Sequence, residues 1–162
     1  LVDTPRRWAN WWQEFINHDP GNTATTFEAV EADQMIVVSG MRVTSLCEHH
    51  LLPFWCDVSI GYLPSQENPR VLGLSKFARV AHQFAHRLQL QEQLVQQVAD
   101  EITRLTGSPD VAVIASGRHL CMEMRGVKTA GLMTSSVMRG SFRSSAAARQ
   151  EFLSMAKRNE SS

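Results

Sequence analysis

The chain has 162 residues, 43% of them hydrophobic and 20% charged, and its 16 basic and 16 acidic side chains cancel. That length suits one domain with its own core, and the balanced charge excludes a global field that would hold the protein on nucleic acid or an anionic membrane, so any anionic ligand must be gripped locally. No apolar run approaches the roughly 20 residues that cross a bilayer, no basic-then-apolar signal pattern opens the chain, and three cysteines are too few and too odd for a disulfide framework, which points to a reducing compartment, the cytoplasm.

In chain order, Thr4 is the expected N-cap of a first helix with Pro5 at its first position, and Trp8, Trp12, Phe15 and Ile16 recur at helical spacing until "HDPGN" stops it. Trp8, Trp11 and Trp12 read as a packing face. "QMIVVSGMRVTSLC" and "FWCDVSIGYLP" are rich in β-branched residues and read as two antiparallel strands, the second with Phe54, Cys56, Val58, Ile60 and Tyr62 on one face. After the turn "PSQENP", a helix from Leu74 buries Phe77, Ala78, Ala81, Phe84, Ala85 and Leu88, leaving Lys76, Arg79, Gln83 and His86 wet. His82 and His86 share a metal-capable spacing on this helix but lack the glutamate of the helical metalloprotease motif, so they read as solvated side chains. A second helix buries Leu94, Val95, Val98, Ile102 and Leu105 and ends at Gly107. "DVAVIAS", "RHLCMEMR" and "GLMTSSVMRGSF" read as further strands, and "AAARQEFLSMAK" as a closing helix. The order predicts an α+β fold, an antiparallel sheet with two helices packed on one face.

Titratable chemistry gathers in "LCEHHLLPF" and "HLCMEMR". Strict alternation along the second segment would put His119, Cys121, Glu123 and Arg125 on one strand face. Thiolate and imidazole together suit a borderline-soft ion such as zinc; Cys47 and His50 lie three residues apart, as in short zinc-ligand clusters, and Cys121 is the natural third donor. Cys56 is the rival fourth donor, but its parity with Phe54 and Val58 turns it into the core. The site is then open, with a position for a water whose pKa falls towards about 7 on the ion, and His49 and His119 are left for proton transfer.

"CEHHLLPF", "GLSKFARV", "RLQLQEQL" and "HLCMEMRGV", with "TPRRWA" before them and "TSSVMRGSF" after, resemble the GTP cyclohydrolase I family in order and spacing over nearly the whole chain. The resemblance implies a tunnelling fold in one domain over residues 1–162: an N-terminal helix about 4–17, a core about 34–143 and a C-terminal helix about 145–157. It also implies assembly into a barrel, usually a homodecamer of two pentamers, with active sites between subunits. The implied reaction is hydrolysis of GTP to 7,8-dihydroneopterin triphosphate and formate, a first step towards pterins and folate or 7-deazaguanines. By motif match Cys47, His50 and Cys121 would hold Zn2+. His119 would protonate N7 of the purine, and His49 would serve the other proton transfers. Glu92 with Gln91 would meet the guanine edge and Ser75 the ribose, while Lys76, Arg79 and Arg125, with Arg7 added, would bind the triphosphate. The chain departs from the family pattern at Asn10, where some members carry lysine, at Gln93, where arginine is common, and at Cys56 and Asp57, where a glycine and a basic residue are usual. These positions bear on nucleotide affinity rather than on the metal or the acid and base.

Overall fold

The protein's structure, a computed structural model, describes residues 1–28 and 33–157; residues 158–162, the last of the expected domain, lie outside it. The first helix, α1 (Thr4–Ile16), carries Pro5 in its opening turn, where a fixed φ and a missing N–H cost nothing. Asp3, one residue before the expected cap, is the N-cap, and its carboxylate meets Arg6 at 3.2 Å and Arg7 at 4.0 Å rather than a backbone N–H. Trp8, Trp11, Trp12 and Phe15 stack along α1 with ring centroids 5.0 to 6.3 Å apart, yet Trp8 stays 57% exposed.

The main sheet is built on two long antiparallel strands, β2 (Ile36–Cys47) and β3 (Pro53–Tyr62), followed by β6 (Val111–His119) and β7 (Met133–Met138). A two-residue strand, β5 (Leu88–Gln89), runs parallel to the end of β2, giving the order β5-β2-β3-β6-β7 and making the sheet mixed rather than purely antiparallel. β1 (Thr26–Glu28) and β4 (Arg70–Leu72) form a separate two-stranded ribbon, held also by Arg70 donating to Thr26 Oγ1 at 2.9 Å. These three strands are too short for periodicity to register. Leu88, expected on the inner face of the helix before it, lies in β5 and is exposed, because α2 (Leu74–Ala85) ends three residues earlier.

α2 and α3 (Gln91–Thr106) cover one face of the sheet. Phe54, Cys56, Val58, Ile60 and Tyr62 of β3 interlock there with Phe77, Val80 and Ala81 of α2 and Leu94, Val98 and Ile102 of α3, each large side chain contributing about 1.5–3 kcal/mol through burial. Gly107 ends α3 with φ +69°, a left-handed cap that a Cβ would strain. Gly117 is required for another reason: a Cβ there would run into the Trp55 carbonyl and the Cys56 side chain, so only glycine lets β6 lie this close to β3. On the opposite face α6 (Ala146–Lys157), entered through the turn α5 (Ser141–Ser144), packs Phe152 and Phe142 on Ala112.

The strand expected through "RHLCMEMR" stops at its second residue. His119 pairs with Phe54, the last hydrogen-bonding position of β3 before Pro53, and β7 reaches only as far as Gly117. With no partner on either side, the chain turns into one helical turn, α4 (Leu120–Glu123), and the single-face alignment of His119, Cys121, Glu123 and Arg125 is lost.

His82 and His86 are also not the solvated pair the sequence suggested. Both are half-buried; His18 stacks on His86 with centroids 3.6 Å apart and planes 12° apart, and Phe15 meets the same ring at 5.4 Å. Burial first, then the neighbouring imidazoles, hold His18 and His82 below the ordinary histidine value, with Asp19 opposing this at His18 and the Arg79 guanidinium lining the same cavity. Above the unfolded pKa of about 6.5 both rings are neutral in either state, and as pH falls the unfolded chain takes up protons that the folded cluster resists, so stability drops. Thermal unfolding is therefore expected at lower temperature near pH 5 than near pH 7, and His82→Asn should flatten part of that slope.

Candidate metal and proton-transfer site

Three sequence-distant segments meet where β2 ends. The chain leaves β2 through a tight loop in which His50 N and Leu51 N both bond the Cys47 carbonyl, at 3.4 and 2.8 Å, while Cys47 N donates to Leu52 O at 2.9 Å. Leu51 closes the loop with φ +55°, a conformation that branched side chains avoid and that here folds His50 back over Cys47. The second segment is the end of β6 with α4, carrying His119 and Cys121. The third is the start of α3, drawn in by the β5 pairing Cys47↔Gln89 and by Glu48 N donating to Gln89 O at 3.2 Å.

The donor atoms of Cys47, His50 and Cys121 lie within 4.8 Å of one another, the only such group among the described residues. A tetrahedral ion with bonds of about 2.0 Å to nitrogen and 2.3 Å to sulfur holds its donors roughly 3.3–3.8 Å apart, and Cys47 Sγ already stands 3.9 Å from His50 Nδ1. Two thiols and an imidazole at this spacing suit a borderline-soft divalent ion, zinc among them. Burial, then the adjacent Cys47 thiol, raises Cys121 above its ordinary value, the direction expected of two sulfurs crowded together without a cation. Cys56 is outside the group. It is fully buried on β3, and burial, then Asp57, pushes its thiol up to about 12.

Arg125 bears on the same histidine. Its Nη1 lies 2.8 Å from His50 Nε2, and because a guanidinium only donates, Nε2 is the acceptor and a neutral ring carries its proton on Nδ1. Ligation through Nδ1 puts that proton on Nε2 instead, where it faces a donor. The Arg125 contact and Nδ1 ligation therefore exclude one another.

His119 is half-buried, its ring stacked on Phe54 at 4.6 Å and 10°. Burial holds its pKa below the ordinary value, with the Glu92 carboxylate pulling the other way. His119 Nε2 lies 2.9 Å from Gln91 Oε1. Gln91 itself is wholly buried and its amide nitrogen reaches Ala115 O and Met133 O, each at 3.0 Å, so it offers no exposed polar atom to a guanine edge. Glu92, the next residue, is exposed in the first turn of α3. His49 is exposed beside His50, its Nε2 4.0 Å from Glu48.

The remaining candidates are not joined to this group by any hydrogen bond among the described residues. Ser75 is exposed near the start of α2. Lys76 Nζ and Arg79 Nη1 both donate to the Asn22 carbonyl, at 2.7 and 3.2 Å, and Arg7 lies on α1 beside Asp3. Two partners were not foreseen from the sequence: Phe54, which its register position opposite His119 would have disclosed had the end of β6 been placed, and the Asn22 carbonyl, for which the sequence carries no signal.

A family profile described as GTP cyclohydrolase I matches residues 1–157. "GTP cyclohydrolase 1 1" of Pseudomonas syringae pv. tomato is 44% identical over 96% of this chain and 84% of its own length. "GTP cyclohydrolase 1" of Hyperthermus butylicus is 46% identical over 88% of this chain and 72% of its own. Among solved structures, an archaeosine synthase QueF-like protein in the apo form aligns with a TM-score of 0.45 and 15% identity, covering 67% of this chain and 95% of that one.

Proposed function

The chain belongs to the GTP cyclohydrolase I family, and on that premise we propose that it is a zinc-dependent GTP cyclohydrolase I, opening the imidazole ring of GTP, releasing C8 as formate and closing the rest to 7,8-dihydroneopterin triphosphate. The observation that carries this reading is the gathering of Cys47 and His50, on the loop that ends β2, with Cys121 of α4 within 4.8 Å, with His119 two residues from Cys121.

C8 of a purine is a weak electrophile, so the site must both sharpen a water and draw electrons from the ring. Zinc held by Cys47, His50 and Cys121, with no fourth protein donor among the described residues, supplies Lewis acidity that lowers the pKa of water to about 7. His119, kept neutral by burial, takes a proton and passes it to N7, which makes C8 electron-poor. His49, exposed at the rim, serves the later transfers in ring opening and sugar rearrangement. Glu92 can accept two adjacent N–H groups of guanine through its two oxygens. Lys76, Arg79 and Arg7 meet the triphosphate, with Ser75 at the ribose; a phosphate oxygen, being charged, outcompetes the neutral Asn22 carbonyl for the first two. Arg125 cannot stay on His50 once Nε2 carries the proton, and it completes the phosphate cluster.

The assembly belongs to the same proposal: a single tunnelling-fold domain forming a decamer of two pentamers, with sites shared between subunits. β7 forms one rim of the sheet and β5 covers only the last two residues of β2 at the other, which leaves edge available for pairing. Trp8 on α1 and Met124 and Val127, shortly after Cys121 in the chain, are exposed, as surfaces awaiting a neighbour are. Lys76 and Arg79 make no hydrogen bond to the metal group among the described residues and turn instead to Asn22 O, which accords with a site shared between chains. No described helix is long and apolar enough to cross a membrane, and free cysteines accord with the cytoplasm. The product would feed pterin and folate or 7-deazaguanine synthesis.

Purified, zinc-loaded protein is expected to convert GTP to a product that fluoresces after oxidation, with formate released in equal amount. Intact GTP after prolonged incubation with a verified, metal-loaded assembly would overturn the activity.

A further inference from the structure

We propose that Gln91 is a positioning residue that fixes the proton of His119 on Nε2 and so leaves Nδ1 as the nitrogen that exchanges protons with the substrate, a role that rests on the reading of His119 given above. Gln91 is the first residue of α3 and its side chain is completely buried. One end of the amide faces the Ala115 carbonyl of β6 and the Met133 carbonyl of β7, each at 3.0 Å, with Ser135 Oγ at 3.2 Å. Backbone carbonyls only accept, so that end is the NH2 group and the orientation is dictated by the fold rather than chosen. The other end is then an oxygen. It stands 2.9 Å from His119 Nε2, and an amide oxygen only accepts, so Nε2 carries the hydrogen. A neutral His119 has its lone pair on Nδ1.

The same contacts fix where the ring lies. Gln91 ties α3 to both β6 and β7, and Phe54 holds the imidazole plane from its face at 4.6 Å. The ring is gripped at Nε2 and at one face, with Nδ1 left unassigned to any protein partner among the described residues. This also accounts for two adjacent polar residues of the α3 N-terminus diverging so sharply in exposure: Glu92 faces outward, and Gln91 is spent on holding the histidine.

The test reads the tautomer directly. Protein labelled with 15N-histidine and loaded with zinc gives ring-nitrogen shifts that separate an N–H from a lone-pair nitrogen, and His119 is assigned by the signals missing from His119→Gln. The expected wild-type result is one tautomer, Nε2–H. Gln91→Met, of similar shape but without polar groups, should release the ring into a mixture of tautomers and lower kcat by about 10–100-fold with KM for GTP changed less than about threefold, the pattern of a lost outer partner to a working group. Gln91→Glu should restore the single tautomer, because a carboxyl this deeply buried stays protonated, its O–H donating to a sheet carbonyl and its C=O accepting from Nε2. A wild-type His119 with its proton on Nδ1 overturns the proposal. So does an unchanged tautomer in Gln91→Met, or a rise in KM with kcat intact, which would make Gln91 a substrate contact. Should Gln91→Met fail to fold, the wild-type and Gln91→Glu spectra still decide the matter. The spectra need no turnover: a single Nε2–H tautomer in protein that leaves GTP untouched would uphold the positioning role and sink the proposed activity instead.

Discussion

Cys121→Ser is expected to lower GTP turnover by about 10³-fold or more, equal to about 4 kcal/mol or more of barrier, in protein whose zinc content has fallen in step. A serine hydroxyl keeps its proton far more readily beside the ion than a cysteine thiol, which gives it up on ligation, so the substitution removes the charge as well as the soft donor and leaves a Cys-His pair too sparse to retain the ion. The fold has little stake in this side chain. Cys121 is half-buried in a single helical turn beyond the last sheet pairing, and its loss should move the unfolding temperature only slightly. Cys56→Ser makes the counterpart. That thiol sits in the core with no exposure, and a hydroxyl left there without a partner should cost about 1–3 kcal/mol of stability while zinc stays bound. Metal-to-protein ratios, turnover and unfolding midpoints measured on the two variants separate the roles. Zinc retained by Cys121→Ser, or lost from a folded Cys56→Ser, would mean that the donor set has been misassigned.

Much of this architecture is legible in the sequence, and the reason is periodicity. β3 buries Phe54, Cys56, Val58, Ile60 and Tyr62, the alternate positions that the sequence marks, and α3 ends at the glycine that the pattern ends on. Both elements are long enough for a period to repeat. The departures fall where tertiary partners decide. Nothing local in "RHLCMEMR" says that β6 will run out of neighbours at His119, since that depends on Pro53 in another strand and on where β7 begins. Cys121 nonetheless comes within reach of Cys47, by way of a helical turn rather than a strand face. The burial of Gln91 was equally invisible: in sequence it is one polar residue in "LQLQEQL", and only the convergence of two strand carbonyls and an imidazole on its amide separates it from Glu92. His82 and His86 read as solvated because both are polar and the ring that stacks on His86, that of His18, comes from another part of the chain.

His119→Gln isolates the proton-transfer step from the scaffold that holds it. A glutamine amide nitrogen reaches about as far as the imidazole Nε2, so it can donate to Gln91 Oε1 as the histidine does at 2.9 Å, and the tie between α3 and the end of β6 survives. What disappears is any group able to take up a proton and release it near neutral pH. General acid catalysis by a positioned histidine contributes about 10²–10⁴-fold, and since that contribution is felt as bonds rearrange, kcat should fall by this factor while KM stays within about threefold of wild type. Zinc content should be unchanged, because His119 is not among the three donors. This combination separates the proposed acid from the other candidates. Loss of a phosphate contact such as Arg79 would raise KM, and loss of a metal donor would empty the site. Steady-state kinetics with metal analysis on the same preparation therefore decide the assignment, and a His119→Gln enzyme with wild-type kcat would require the proton delivered to N7 to come from His49 or from bulk water.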